Sequence, residues 1–259
     1  MIKKRMIEMY NIVKDKGYDI FAIFLQGSQN YMLDYKDSDI DTKCIVLPSF
    51  DDICRNRQPV STTIKLDNGE QIDVKDIRIM FNNFKKQNIN YLEILFSKEI
   101  IYNTKYEKFL DKLKERREDI ARYDINKALN CMAGMSMQKY KALTHPYPTI
   151  KHKIDKFGYD PKQLHHILRL SEFALRYSKG ENFSDCLISE ERDFLIKVKK
   201  GEAYNLEKAK EIADVVNMHT LFFVRDFNKN NIRKKNEEVS DFLNNLIVEI
   251  FKAKFRSEL

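Results

Sequence analysis

Glycine and proline are scarce, seven and five in 259 residues. With so few breakers there is no Gly/Ser or Pro-rich linker, and neither an internal repeat nor a low-complexity segment interrupts the chain. The four cysteines, Cys44, Cys54, Cys131 and Cys186, form no CxxC pair and lie far apart. That spacing argues against a zinc ribbon or a disulfide framework, and it fits a reduced, cytoplasmic compartment. No apolar run approaches the length of a membrane span, so no membrane partner is expected. The first twenty residues, MIKKRMIEMYNIVKDKGYDI, are basic, but their apolar positions are spaced rather than continuous. An amphipathic helix is expected there rather than a signal peptide.

What the chain does contain is enough apolar matter for a real core: 43% of its residues are hydrophobic and 12% are aromatic. The formal charge is +7. Residues 1–99 hold 15 basic and 15 acidic side chains, so the excess lies entirely in residues 100–259, with 31 and 24. A neutral part joined to a basic part suits a surface for phosphates, or a plain solvated lysine-rich surface.

Pattern divides the chain in the same place. Residues 3–15 have the helical period, and Ile20–Leu25 read as a buried strand. Residues 29–33 are expected to start a short helix, and Ile40–Leu47 to form a second strand ended by Pro48. Thr62–Leu66, then Asp67-Asn68-Gly69, then Gln71–Val74 has the pattern of a β-hairpin with a type I′ turn. Helical segments follow near 104–117, 124–143, 161–178, 205–227 and 238–255. The expected class is α+β: a mixed β-sheet core flanked by helices over residues 1–103, followed by a basic helical bundle over 104–259.

Chemistry concentrates in FLQGSQNYMLDYKDSDIDTKCIVLP, residues 24–48. Side chains two apart on a strand share a face, so Asp39 and Asp41 are expected to aim at one point while Ile40 enters the core. Two carboxylates so close repel each other unless a hard cation lies between them. Asp73, between Ile72 and Val74, is the candidate third acid, with Asp76 as the alternative. Three such carboxylates could hold two Mg²⁺ ions, the apparatus of in-line phosphoryl or nucleotidyl transfer. Gly27 allows a phosphate to approach the backbone, and Ser28 adds a hydroxyl donor. Asp34 and Asp37 are expected to be turn residues, and Glu93 structural.

A second cluster lies in KFGYDPKQLHHILRL, residues 156–170. Asp160 as N-cap and Pro161 at the first helical position would open a helix that places Lys162, His166 and Arg169 on one face. Such a face suits a triphosphate or an acceptor phosphate. Tyr31, Tyr35 and Tyr159 are candidates for stacking on a base, or for ordinary packing. Lys151, Lys153 and Lys156 form a loose charge run, and residues 228–240 are expected to form an exposed basic loop. THPYPTI, residues 144–150, is expected to be a rigid connector.

Gly27-Ser28, ten residues, Asp39-Ile40-Asp41 and then Ile72-Asp73-Val74 together resemble the signature of the DNA polymerase beta-like nucleotidyltransferase superfamily. The resemblance covers the first hundred residues, a palm-like catalytic core. It implies that Ser28 binds nucleotide phosphates, that Asp39 and Asp41 bind both Mg²⁺ or Mn²⁺ ions, and that Asp73 binds the catalytic ion and helps activate the acceptor hydroxyl. Gly158-Tyr159-Asp160, Lys162, His166 and Arg169 are similar to a Gly-Tyr-Asp-x-Lys-x-x-x-His-x-x-Arg pattern of YcgL-type nucleotidyltransferases of RNA repair pathways. The resemblances imply a template-independent enzyme that adds a nucleoside monophosphate from an NTP, such as ATP, to an RNA 3′ end. Modification of a small molecule or a protein side chain, synthesis of cyclic oligonucleotides, and a non-catalytic nucleotide or RNA binder are the alternatives. The residues fix no oligomeric state.

Overall fold

The computed structural model describes residues 2–35 and 38–256. In chain order its regular elements are α1 (Ile2–Asp15), β1 (Asp19–Gln26), β2 (Asp41–Leu47), α2 (Phe50–Cys54), β3 (Ser61–Lys65), β4 (Gln71–Asp76), α3 (Ile77–Lys85), α4 (Ile89–Leu92) and β5 (Ile100–Tyr102). There follow α5 (Glu107–Glu115), α6 (Arg117–Ala121), α7 (Ile125–Ala142), α8 (Lys151–Phe157), α9 (Pro161–Ser178), α10 (Phe183–Leu187), α11 (Arg192–Lys200), α12 (Leu206–Asn230) and α13 (Glu237–Phe255). The class is α+β.

Two compact units emerge. The first comprises residues 1–30, 36–123 and 235–259, the second residues 31–35 and 124–234. All five strands precede residue 104, as the sequence pattern suggests, but the units do not follow the 103/104 division. Helices α5, α6 and α13 belong with the sheet. The buried stripe of α13, Val239, Leu243, Leu246 and Ile250, faces this unit, with α13 packed on α3. Lys112–Glu249 at 2.6 Å and Lys254–Asp19 at 2.6 Å add ion pairs. Period alone reveals that a helix has an apolar stripe, not which neighbour covers it.

The sheet of the first unit has the order β3-β4-β2-β1-β5, with β2 and β4 parallel and the other pairs antiparallel. One face packs on α1. Met6, Met9 and Val13 from the helix meet Ile23, Leu25, Cys44, Val46, Ile72 and Val74 from the strands. Because Cys44 and Val46 point this way, Asp41 and Lys43 must point to the other face. The edge strand β3 is largely exposed and polar, which suits an edge. Its hairpin to β4 forms where the sequence placed it, with a different turn. Only Gly69 in that turn has a positive φ, 90°, and its N–H donates to Leu66 O at 3.0 Å. That is a type I turn closed by a left-handed glycine rather than type I′.

The second unit is helical. Helix α9 packs against α7, α11 and α12. Leu143, Tyr159, Leu164, Ile167, Val198, Ala209 and Ala213 form its core cluster. Helix α9 begins as its sequence dictates: Asp160 accepts the Lys162 backbone N–H at 3.1 Å, and Pro161 occupies the first turn. The expected charge run at Lys151, Lys153 and Lys156 falls on the short helix α8, after the 144–150 connector.

Candidate functional site

In the first unit the site grows from the end of β1. Gln26 is extended, Gly27 turns with φ 74°, and Gly27–Gln29 form one 3₁₀ turn. The helix expected over 29–33 is therefore this single turn, too short to carry a useful dipole. Asn30, which drew no attention in the sequence, fastens it. Asn30 is 2% exposed; its amide donates to Glu93 O at 3.4 Å and its Oδ1 accepts the Lys98 N–H at 3.0 Å. Glu93 is buried, in keeping with the structural part expected of it.

Gly27 has a second reason to be glycine. A Cβ there would lie 3.4 Å from Asp41 Oδ2 and 3.7 Å from Asp41 Cβ, so the turn and the carboxylate are immediate neighbours. Asp41 opens β2, opposite Gln26 and Gln71. Asp39 does not share that strand. It precedes β2, is exposed, and lies beside the hairpin turn, 3.8 Å from where a Gly69 Cβ would stand. Asp39 and Asp41 therefore do not alternate along one strand, because β2 begins at Asp41, two residues after Asp39.

Asp73 shares the Asp41 face of the sheet but pairs with Lys43, one step further along. Lys43, 3% exposed, binds Asp73 at 2.8 Å and covers the Tyr91 ring at 4.4 Å. Lys75 binds the other oxygen at 2.9 Å. Burial pushes the Asp73 carboxyl up, but the two ammonium groups outweigh it and hold the group below its ordinary value. Asp76 is engaged differently. It is fully buried, caps α3 through the Arg78 N–H at 2.8 Å, and binds the Arg78 guanidinium at 2.9 and 2.7 Å.

Oxygen donors of this kind suit Mg²⁺ or Mn²⁺. Among the described residues, however, no three His, Cys, Asp or Glu side chains lie close enough to hold a metal together. The expected convergence of Asp39, Asp41 and Asp73 is not assembled here, since Asp73 is occupied by two lysines. Sequence spacing contains no sign of Lys43 as its partner; only strand register pairs them. Asp37 lies outside the described residues, and Asp34 is in irregular chain after the turn.

The second constellation lies wholly within the helical unit. The Gly-Tyr-Asp triplet does structural work. Gly158 caps α8 with φ 78°, and a Cβ on it would meet Leu206 Cδ2 at 2.9 Å. Tyr159 is fully buried and its hydroxyl donates to Tyr204 O at 3.0 Å, so its ring has no face to offer a base. Asp160 caps α9. That leaves Lys162, exposed, His166, half-buried, and Arg169, 6% exposed, as the chemical members.

Arg169 lies 3.7 Å over the Tyr31 ring, and its Nε and Nη2 are buried without a hydrogen-bond partner. Tyr31 and Tyr35 thus serve as cation platforms: Lys199 and Lys200 approach Tyr35 at 5.0 and 5.4 Å, and Lys199 donates to Leu33 O at 3.1 Å. His165 is buried and its Nδ1 meets Leu195 O at 3.1 Å; burial pushes it down to about 3. Burial, then His165, Lys139, Lys162 and Arg169, hold His166 well below the usual histidine value. Lys139 of α7 is a member the sequence reading missed. Burial and then Lys162 lower it, with Asp160 opposing. The exposed basic segment at 231–236 includes Arg233, Lys234 and Lys235.

A family model described as RlaP, RNA repair pathway DNA polymerase beta family, matches residues 1–249. A search of curated proteins finds no match. A solved structure of a nucleotidyltransferase-like protein from Exiguobacterium sibiricum 255-15 is similar at 12% identity, over 85% of this chain and 74% of that one. The TM-score of that match is 0.33.

Proposed function

This chain belongs to the RNA repair pathway DNA polymerase beta family, and from that membership we propose a metal-dependent, template-independent nucleotidyltransferase that acts on an RNA 3′ end, tRNA-like in form. The acceptor hydroxyl attacks the α-phosphorus of an NTP, the bond to the β-phosphate oxygen breaks, pyrophosphate leaves, and the acceptor proton is released. One observation supports this most: the Gly27 turn is seated directly against the Asp41 carboxylate. That seating gives phosphate access to the backbone beside the acid that would direct the reaction. Ser28 adds a hydroxyl donor at the same turn.

Two Mg²⁺ or Mn²⁺ ions, when bound, would supply charge neutralisation and a more acidic acceptor hydroxyl. Asp39 and Asp41 would hold them, and Asp73 would join once Lys43 and Lys75 release it. Lys162, His166 and Arg169, within the helical unit, would bind phosphate. The bound state of Asp73 favours one other reading, a non-catalytic nucleotide or RNA binder whose third acid is locked in ion pairs.

Incubation of the protein with labelled NTPs, Mg²⁺ or Mn²⁺ and total RNA separates the two, with Asp39→Ala/Asp41→Ala as control. Metal-dependent label on RNA, lost in the control, is the expected result. Label on protein or small molecules would redirect the acceptor assignment, and RNA or nucleotide binding with no transfer would support the binder.

A further inference from the structure

Among the described residues, the guanidinium of Arg169 is a charged group with buried donors that lack a partner. It is 6% exposed, and Nε and Nη2 have no acceptor. An arginine cannot shed its proton to escape that cost. Stacking on Tyr31 at 3.7 Å occupies one face of the group and leaves the in-plane donors unanswered. On α9, His166 is one turn and Lys162 two turns before it. Lys139 comes from α7, one turn before Leu143, whose carbonyl accepts the Asp160 N–H at 2.8 Å. That bond ties the end of α7 to the start of α9. The carboxylate of Asp160 is already engaged by the Lys162 N–H, by Gln163 Nε2 at 3.1 Å and by Lys153 at 3.5 Å.

We propose that Lys139, Lys162, His166 and Arg169 form a phosphate-binding site within the helical unit, in which Arg169 supplies paired in-plane donors and Lys139 a point charge from the neighbouring helix. This deepens the reading above, and it rests on that reading only for the source of the phosphate. Buried donors without an acceptor, in a set of three cations that all act on His166, call for an oxyanion on their own account. His166 reports on occupancy. Held neutral by burial and by His165, Lys139, Lys162 and Arg169, it would gain proton affinity when a phosphate offsets those charges.

The phosphate could belong to a nucleoside triphosphate or to an RNA terminus, and the two are separable. The full-length protein is titrated in EDTA with inorganic tripolyphosphate, with ATP, and with an oligoribonucleotide bearing or lacking a 3′ phosphate. Melting temperature, calorimetry and the NMR titration of His166 are followed in the wild type, Lys139→Met, Arg169→Met and Asp39→Ala/Asp41→Ala. Tripolyphosphate is expected to raise the melting temperature and the His166 pKa in the wild type and in the aspartate double variant. Lys139→Met should weaken binding by about tenfold or more, the cost of one charge-assisted contact. Arg169→Met should lose the response while melting no lower than wild type without ligand, since it removes an unsatisfied charge. A stronger response to tripolyphosphate and ATP assigns the site to the triphosphate, and a stronger response to the 3′-phosphorylated RNA assigns it to the terminus.

No response to any phosphate in the wild type, or an undiminished one in Lys139→Met, would overturn the site. A phosphate response in EDTA, with no nucleotidyl transfer in the separate assay that contains Mg²⁺ or Mn²⁺, would sink the enzymatic reading alone. Transfer without a phosphate response would sink this site alone.

Discussion

The acid site on the sheet and the basic site on α9 treat charge in opposite ways. In the sheet unit Asp73 is answered twice from within, by Lys43 and Lys75, and Asp76 is answered by Arg78. In the helical unit Arg169 keeps two buried donors with no acceptor, and its charge acts with those of Lys139 and Lys162 on His166. A carboxylate already paired must lose partners before it can serve as a ligand, whereas an unpaired guanidinium is ready for one. The contrast teaches that the helical unit keeps buried donors unanswered, while Asp73 has to be released from two lysines before it can serve.

Variants can break that comparison. The largest effect is expected at the acids: Asp41→Ala should lower transfer by about a thousandfold or more, measured as label incorporated per minute, while tripolyphosphate binding in EDTA stays as in wild type. If phosphate binding falls equally, the two sites are not separate. Gly158→Ala comes next. It forces a left-handed alanine against Leu206 and should cost about 2–3 kcal/mol in urea unfolding. A neutral result would show that the helix junction before α9 tolerates a side chain.

Acidification probes the basic unit. His165 is pushed down to about 3 from 6.5, so the unfolded chain binds the extra proton between those values. The stability this group contributes is complete above pH 6.5 and is lost as pH falls from there toward 3, at up to about 1.4 kcal/mol per pH unit. A flat stability profile between pH 6.5 and 4.5, or one unchanged in His165→Phe, would contradict it. The smallest change is expected from Lys43→Met, about 1–2 kcal/mol, because Asp73 keeps Lys75. Asp73 has a lowered pKa, so its contribution is present above the unfolded value of 3.8 and fades as pH falls through the folded one. Lys43→Met should raise the Asp73 pKa and shrink that acid-limb loss, readable by carbon NMR of its carboxyl.

Local signals in the sequence carried the elements whose causes are local. Asp160-Pro161 announced the start of α9, Asn68-Gly69 the hairpin, and the apolar period the long helices. What escaped depends on neighbours distant in sequence. Lys43 meets Asp73 through parallel register, Lys139 meets α9 through helix packing, and Asn30 reaches Glu93 and Lys98 across the unit. The two-residue spacing of Asp39 and Asp41 suggests one strand face, yet pairing begins only at Asp41. Tyr159 read as an aromatic platform because a motif does not reveal which of its members build the core.

The central claim is nucleotidyl transfer to an RNA 3′ end, and the 3′ end itself is the most direct probe. RNA with a free 3′ hydroxyl and the same RNA with that hydroxyl removed are incubated with the protein, labelled NTP and Mg²⁺. Label is expected on the first RNA and not on the second, and on neither with Asp39→Ala/Asp41→Ala. Equal labelling of both RNAs, or none on either while ATP binds, would contradict it.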